Sequence, residues 1–339
     1  QDGCVGLKRL TEPQQPRGTL ERGLLNSVAQ FLLHVVEQAG LPSGLRDLLL
    51  ERLRAPGRLL SVQKQYLPVA LNLLAYATAT QSDPKVIVPA AAAIEMLMAA
   101  GDLIDDVQDA EGPDISGRKQ CGYVLEASAA MLMLCHQSLA ELSRSHIPAD
   151  RVLRAVQVFD RQGLLALRGQ DMDVRLENSG NISMDLILEC TRLKAGSLIR
   201  CATEVGAVLA VDDEEIIDLL AKFGWHYGTA AQLMNDVAAM WPGSSSKSDL
   251  RLRKMTVPVA YALSDQSLSK EHSEIVRRYY QSKDGDGIPE SAVKQAIWYA
   301  GGIHYAWYIA AEEKAKAKES AEKLSELRPG PWSIDYFVA

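Results

Sequence analysis

The chain is poor in the features that mark specialised protein classes. Aromatic residues fill 6% of its 339 positions, and only four are phenylalanine. Its five cysteines, Cys4, Cys121, Cys135, Cys190 and Cys201, are dispersed, odd in number and mostly set in apolar helical patterns. That excludes a disulfide scaffold and suits a reduced, cytoplasmic protein. No pair has CxxC spacing, which argues against a structural zinc. With 24 glycines and 14 prolines the chain is neither collagenous nor of low complexity. Positive charge is in deficit, 36 Lys and Arg against 43 Asp and Glu for a net −7. A sequence-independent nucleic-acid binder needs a basic surface, so nucleic acid is not an expected partner. Long apolar runs are missing as well. The longest, Val86 to Ala100, contains Glu95 and is followed by Asp102, so it reads as a buried helix and not a transmembrane segment. The start, Gln1-Asp2-Gly3-Cys4, has neither a basic nor an apolar leader, so no signal peptide is expected. The lack of an initiator Met fits a chain that begins mid-sequence.

Alternating β-branched runs are almost absent, and no sheet is expected. What is there is helical. Ala, Leu, Met, Glu and Gln dominate, and apolar residues recur at three- and four-residue spacing. Turn chemistry marks the breaks at 41–44, 82–84, 111–117, 146–148, 177–183, 211–213, 241–248 and 283–289. Their spacing predicts ten to twelve helices of 15 to 25 residues. Residues 1–19 read as a loose arm, and 20–339 as one all-α bundle with a single core.

Asp102, Asp105, Asp106 and Asp109 stand at i, i+3, i+4 and i+7, which puts four carboxylates on one helical stripe. No Lys or Arg lies between Lys85 and Arg118 to offset their repulsion. Oxygen-only ligands in that density suit Mg²⁺, although a solvated acidic face would look the same. A second stripe, Gln232, Asn235 and Asp236, is weaker alone, because an amide-rich face more often serves structure. A basic cluster follows it: Lys247, Arg251, Arg253 and Lys254, with Thr256 and Pro258. Carboxylates with nearby cations are what a diphosphate requires, metals bridging its oxygens and Lys or Arg neutralising the rest.

These segments resemble the motifs of the trans-isoprenyl diphosphate synthases. Asp105-Asp106-Val107-Gln108-Asp109 is similar to their first aspartate-rich motif, DDxxD, and Gln232 to Asp236 to the second, QxxDDxxD. Between them, Gly169-Gln170-Asp171-Met172-Asp173 resembles GQxxD, and Lys194-Ala195-Gly196 resembles KT. Lys247 and Lys254-Met255-Thr256-Val257-Pro258 match GK and KxTxP, and order and separations agree from about Arg58 to Pro258. The resemblance implies the isoprenoid-synthase helical bundle around a central apolar cavity. It also implies three Mg²⁺ ions, an allylic prenyl diphosphate substrate and a homodimer. Carried over residue by residue, Asp105, Asp106 and Asp109 would bind two metals, and Asn235 with Asp236 the third. Arg58, Lys194, Gln232, Lys247 and Lys254 would hold the diphosphate, while Met98, Ala100, Gly101, Gln170 and Asp173 would line the cavity.

The departures are selective. The family's GGKRxRP survives only as Pro56-Gly57-Arg58, and Met98 stands where the isopentenyl-diphosphate-binding His is expected. Ala110 to Pro113 replace the arginine pair, and Asn235 and Ala239 replace two metal-motif aspartates. On this reading the acceptor diphosphate site has lost its cations while the ionisation machinery is kept. The cation would then be cyclised or passed to a non-isopentenyl acceptor, as in bacterial terpene synthases on this scaffold and ComQ-type enzymes. The alternatives are a chain-elongating synthase and a non-catalytic subunit of a heteromeric one. Gly101 and Ala100, four and five residues before the first Asp, replace bulky aromatics, which predicts a C15 or longer substrate with C20 favoured. Met96 and Leu97 would line the passage a turn deeper.

Other features read as packing. Six dispersed histidines suit core or surface roles. Residues 283–287 resemble a calcium loop but lack its twelfth-position acid, and read as a turn. The aromatic stretch Trp298 to Tyr308 is expected to pack in the core, with lining of a carbocation cavity as the alternative.

Overall fold

The computed structural model describes residues 22–61, 67–108, 118–177, 183–241, 250–282 and 287–338. Among these there is no strand, and the helices run in the order α1 (Arg22–Gln38), α2 (Ser43–Arg54), α3 (Leu67–Thr80), α4 (Val88–Gln108) and α5 (Arg118–Glu141). They continue as α6 (Ala149–Glu177), α7 (Met184–Thr191), α8 (Ser197–Ala210) and α9 (Glu214–Met240), with a π-turn at Arg192–Gly196 between α7 and α8. The last four are α10 (Val257–Leu263), α11 (Lys270–Gln281), α12 (Glu290–Tyr299) and α13 (Gly302–Leu327). The expected breaks at 82–84, 146–148 and 211–213 fall between α-helices, and that at 41–44 runs into the first turn of α2. Lengths scatter more widely than periodicity alone predicted, from 7 residues in α10 to 29 in α6. A proline inside the first turn fixes where α10 starts, whereas nothing in α6 interrupts the apolar repeat. Residues 1–19 lie outside the described residues.

The residues form two compact units. Of the described residues, one comprises those from 22 to 163, with 198–224 and those from 318 on. At its centre is α4, buried on every side from Ala90 to Ala100. Small residues let α5 approach closely: Cys135 Sγ donates to the Ala93 carbonyl at 3.3 Å, and Ser128 Oγ to that of Ala100 at 3.2 Å. The helix stretch 84–108 is long and apolar enough to cross a membrane, but most of its apolar window is buried in the fold. Gly206 of α8 lies so near α3 that a Cβ would meet the Asn72 carbonyl at 2.4 Å, and Asn72 donates across the contact to Ala202.

The other unit comprises 164–197 and 225–317. Its core gathers Ile187 and Leu188 from α7, Leu233, Val237 and Met240 from α9, and Val276, Ile297 and Ile303 from the later helices. The corner between α12 and α13 turns through Gly301 at φ +90°, a conformation that favours glycine. Trp298 packs edge-on to Trp241, with ring centroids 4.9 Å apart, and Tyr305 stacks on Tyr261. Trp307 and Tyr308 depart from the expected core packing. Both side chains are more than half exposed.

Candidate active site

In the unit built on α4, one helical face carries Glu95, Met98, Asp102, Asp105 and Asp106 at successive turns. Asp109 lies outside the described residues. The stripe is not without basic neighbours, as the local sequence suggested. Arg58 Nε donates to Asp102 Oδ2 at 3.0 Å, and the same guanidinium donates to the Met98 carbonyl at 3.3 Å. Arg52, from the last turn of α2, pairs with Asp106 and stands 3.8 Å from Asp102. Tertiary folding therefore supplies the cations that the segment from Lys85 to Arg118 lacks. Sequence reasoning missed Arg52 because some fifty residues separate it from the stripe and no motif contains it.

Buried Glu95 fixes the turn that presents Arg58: its Oε1 accepts from the Leu59 amide at 2.8 Å. Burial pushes the Glu95 carboxyl above its ordinary range, and the Arg58 charge and the Leu59 N–H act against that rise. Burial likewise lowers the Arg52 guanidinium, with Asp102 opposing. Met98 is buried. Ala100 and Gly101 differ. Ala100 is 1% exposed against α5, whereas a Cβ on Gly101 would meet nothing within 4 Å. Of the two residues expected to leave a passage open, only Gly101 has open space beside it.

In the other unit, α6 and the π-turn meet at Gly169. A Cβ there would lie 2.5 Å from the Lys194 backbone nitrogen, so this position of the GQxxD-like segment needs a hydrogen in place of a side chain. Lys194 Nζ pairs with Asp173 Oδ2 at 2.7 Å, and Gln170 is buried on the same helix. Cys190 donates to the Gly169 carbonyl, and burial pushes its thiol up to about 12. The charges of Asp173, Lys194 and Asp236 also act on that thiol, which sets these three residues in one neighbourhood. On α9, Gln232 Nε2 donates to Asp236 Oδ1 at 2.9 Å; Asp236 is buried and Asn235 exposed. Lys254 is half-buried, and its carbonyl accepts from Tyr280. Thr256 Oγ1 is buried and has no hydrogen-bond partner among the described residues.

The basic cluster is only partly available to a ligand. Arg251 pairs with Glu290, and Arg253 donates to the Tyr279 and Ser282 carbonyls while lying over the Tyr279 ring. Arg253 therefore serves the local fold, while Arg251 stays largely exposed. Lys247 lies outside the described residues.

The polyprenyl synthetase family model matches residues 59–297. The chain belongs to the polyprenyl synthetase family. Among its relatives, the (2E,6E)-farnesyl diphosphate synthase of Mycobacterium bovis is 30% identical over 197 residues, 55% of this chain and 54% of that protein. The geranylgeranyl diphosphate synthase of Mycobacterium tuberculosis is 28% identical over 231 residues, 66% of this chain and 65% of that protein. The first of these alignments spans about half the length of the relative. A crystal structure of polyprenyl synthetase from Streptomyces coelicolor A3(2) superposes with a TM-score of 0.77 at 23% identity, covering 92% of this chain and 96% of that one. That likeness shows the all-α polyprenyl synthase fold.

Against this family background the donor chemistry suits a hard divalent cation. Asp102, Asp105 and Asp106 offer carboxylate oxygens on one face, and a guanidinium already stands at the position where Asp106 accepts positive charge. Among the described residues no three His, Cys, Asp or Glu side chains converge as a closed metal site.

A further polar centre escaped sequence reasoning. Glu313 of α13, nearly inaccessible, accepts from His226 Nδ1 at 2.5 Å, from Arg192 at 3.1 Å and from Lys316 at 3.2 Å. Arg192 opens the π-turn that carries Lys194, so this centre ties α9 and α13 to that turn. Burial drives the Glu313 carboxyl upward, but the hydrogen bonds from His226 and Arg192 outweigh it and bring it down to about 2.

Proposed function

We propose that this chain ionises an allylic prenyl diphosphate and joins the resulting cation to isopentenyl diphosphate, lengthening the prenyl chain. The observation that carries the reading is membership in a family whose relatives are named farnesyl and geranylgeranyl diphosphate synthases. Asp105, Asp106 and Asp109 would hold two Mg²⁺ ions, with Asn235 and Asp236 on the third. When bound, the ions stabilise the charge that gathers on the departing diphosphate. Lys194, oriented by Asp173, and Lys254 would neutralise its remaining oxyanions, together with Gln232 and Lys247.

Elongation ranks above cyclisation for a second reason. A non-isopentenyl acceptor was expected because the acceptor site had lost its cations, yet Arg52 and Arg58 both stand beside the α4 face that carries Met98. One observation still favours cyclisation or another acceptor: the apolar Met98 side chain in place of a histidine donor. Incubation with C10 to C25 allylic diphosphates and Mg²⁺, with and without isopentenyl diphosphate, separates the readings. Longer products formed only with isopentenyl diphosphate support elongation. Cyclic hydrocarbons or alcohols formed without it reverse the order, and no turnover in either arm favours a non-catalytic subunit. The proposal includes a homodimer, supported by exposed Leu164 and Leu167 on one face of α6. It also places the protein in the cytoplasm, supported by Cys135, Cys190 and Cys201, which form no disulfide among the described residues.

A further inference from the structure

Arg52 belongs to none of the motifs discussed above, yet it makes the most consequential contact on the carboxylate stripe. Its side chain is 19% exposed and that of Arg58 13%, so two guanidiniums are held largely out of water on one side of α4. Arg58 is secured by Asp102, the Met98 carbonyl and the Glu95-anchored turn. Arg52 depends on Asp106, with Asp102 more distant at 3.8 Å. A carboxylate that binds a divalent cation cannot keep the same pairing with a guanidinium. Loading Asp106 with metal would leave Arg52 partly buried beside the like-charged Arg58, a costly arrangement unless an anion arrives.

We propose that Arg52 is an anion-binding residue held in reserve by Asp106. A divalent cation taking the Asp106 carboxylate displaces the guanidinium, which then pairs with a diphosphate oxyanion beside Arg58. Metal and diphosphate binding are thereby coupled through one side chain, and each favours the other. The inference rests on the metal role proposed for Asp106, and it deepens that reading by naming the residue that answers metal loading.

Calorimetric titrations without prenyl substrate test it. Mg²⁺ alone should bind Arg52→Gln about tenfold more tightly than wild type, because the competing cation is gone. Arg54→Gln, an exposed arginine on the same helix, should stay within about twofold and controls for general loss of charge. Inorganic pyrophosphate in EDTA should bind Asp106→Asn several-fold more tightly than wild type, because Arg52 is released without any metal. Equal or weaker Mg²⁺ binding by Arg52→Gln, or an equal gain in Arg54→Gln, overturns the competition. Unaltered or weaker pyrophosphate binding by Asp106→Asn overturns the anion role. If Mg²⁺ binds none of the proteins, the metal reading itself falls. If it binds wild type and Arg52→Gln alike, only the present inference does.

Discussion

Glu313 concentrates electrostatic work at one point, since a single buried carboxylate serves His226, Arg192 and Lys316. Its carboxyl sits near 2 in the folded protein against an ordinary 4.5, so the fold gains from the ionised form. That gain, up to about 3 kcal/mol, is present above pH 4.5 and is lost as pH falls toward 2. Denaturant midpoints should therefore drop more steeply across that window in wild type than in Glu313→Gln, which starts lower and titrates less. Parallel pH profiles would show that Glu313 gains nothing from ionisation. The stripe aspartates differ among themselves. Asp106→Ala strands the Arg52 guanidinium and should cost about 1–3 kcal/mol as well as turnover. Asp105→Ala is expected to cut turnover by about a thousandfold with a smaller loss of melting temperature. Full activity in either variant, or in excess EDTA, contradicts the metal assignment.

At the scale of elements, α4 and its neighbours decide what a substrate tail could meet. Ala100 lies in the α4–α5 contact, where Ser128 donates to its carbonyl, and Gly101 has open space around its missing side chain. The two positions should respond differently to the same substitution. Gly101→Phe should fold normally and shorten the prenyl chain that accumulates, read by chromatography of the dephosphorylated products. Ala100→Phe should overpack the helix pair at a cost of about 1–3 kcal/mol or more before any effect on chain length can be read. An unchanged product length in Gly101→Phe would show that this helix does not limit the tail. The α6 contact with the π-turn is set by similar economy of volume: Gly169 lets the two segments meet, and Asp173 one turn on orients Lys194.

For the whole molecule, the outward leucines of α6 carry the prediction about assembly. Leu164 and Leu167 share a helical face at a spacing of three residues, and single-chain packing leaves both at least 48% exposed. Sedimentation should find a dimer at micromolar concentration, and Leu164→Glu should shift it strongly toward monomer; an unshifted equilibrium would place the interface elsewhere. The sequence by itself determined the helical class, because a 3.6-residue apolar repeat with few β-branched alternations leaves no other way to bury the core. It also determined the order of the motifs and the carboxylate stripe, since i, i+3, i+4 neighbours on a helix are adjacent before any tertiary contact forms. Tertiary structure alone decided which charges are compensated. Arg52 and Arg58 reach the stripe from a distant helix and turn, Arg253 is drawn into local anchoring, and Glu313 gathers Arg192 and His226 from two other segments. Charge pairing depends on distance in space, and no spacing rule along the chain encodes contacts made across tens of residues.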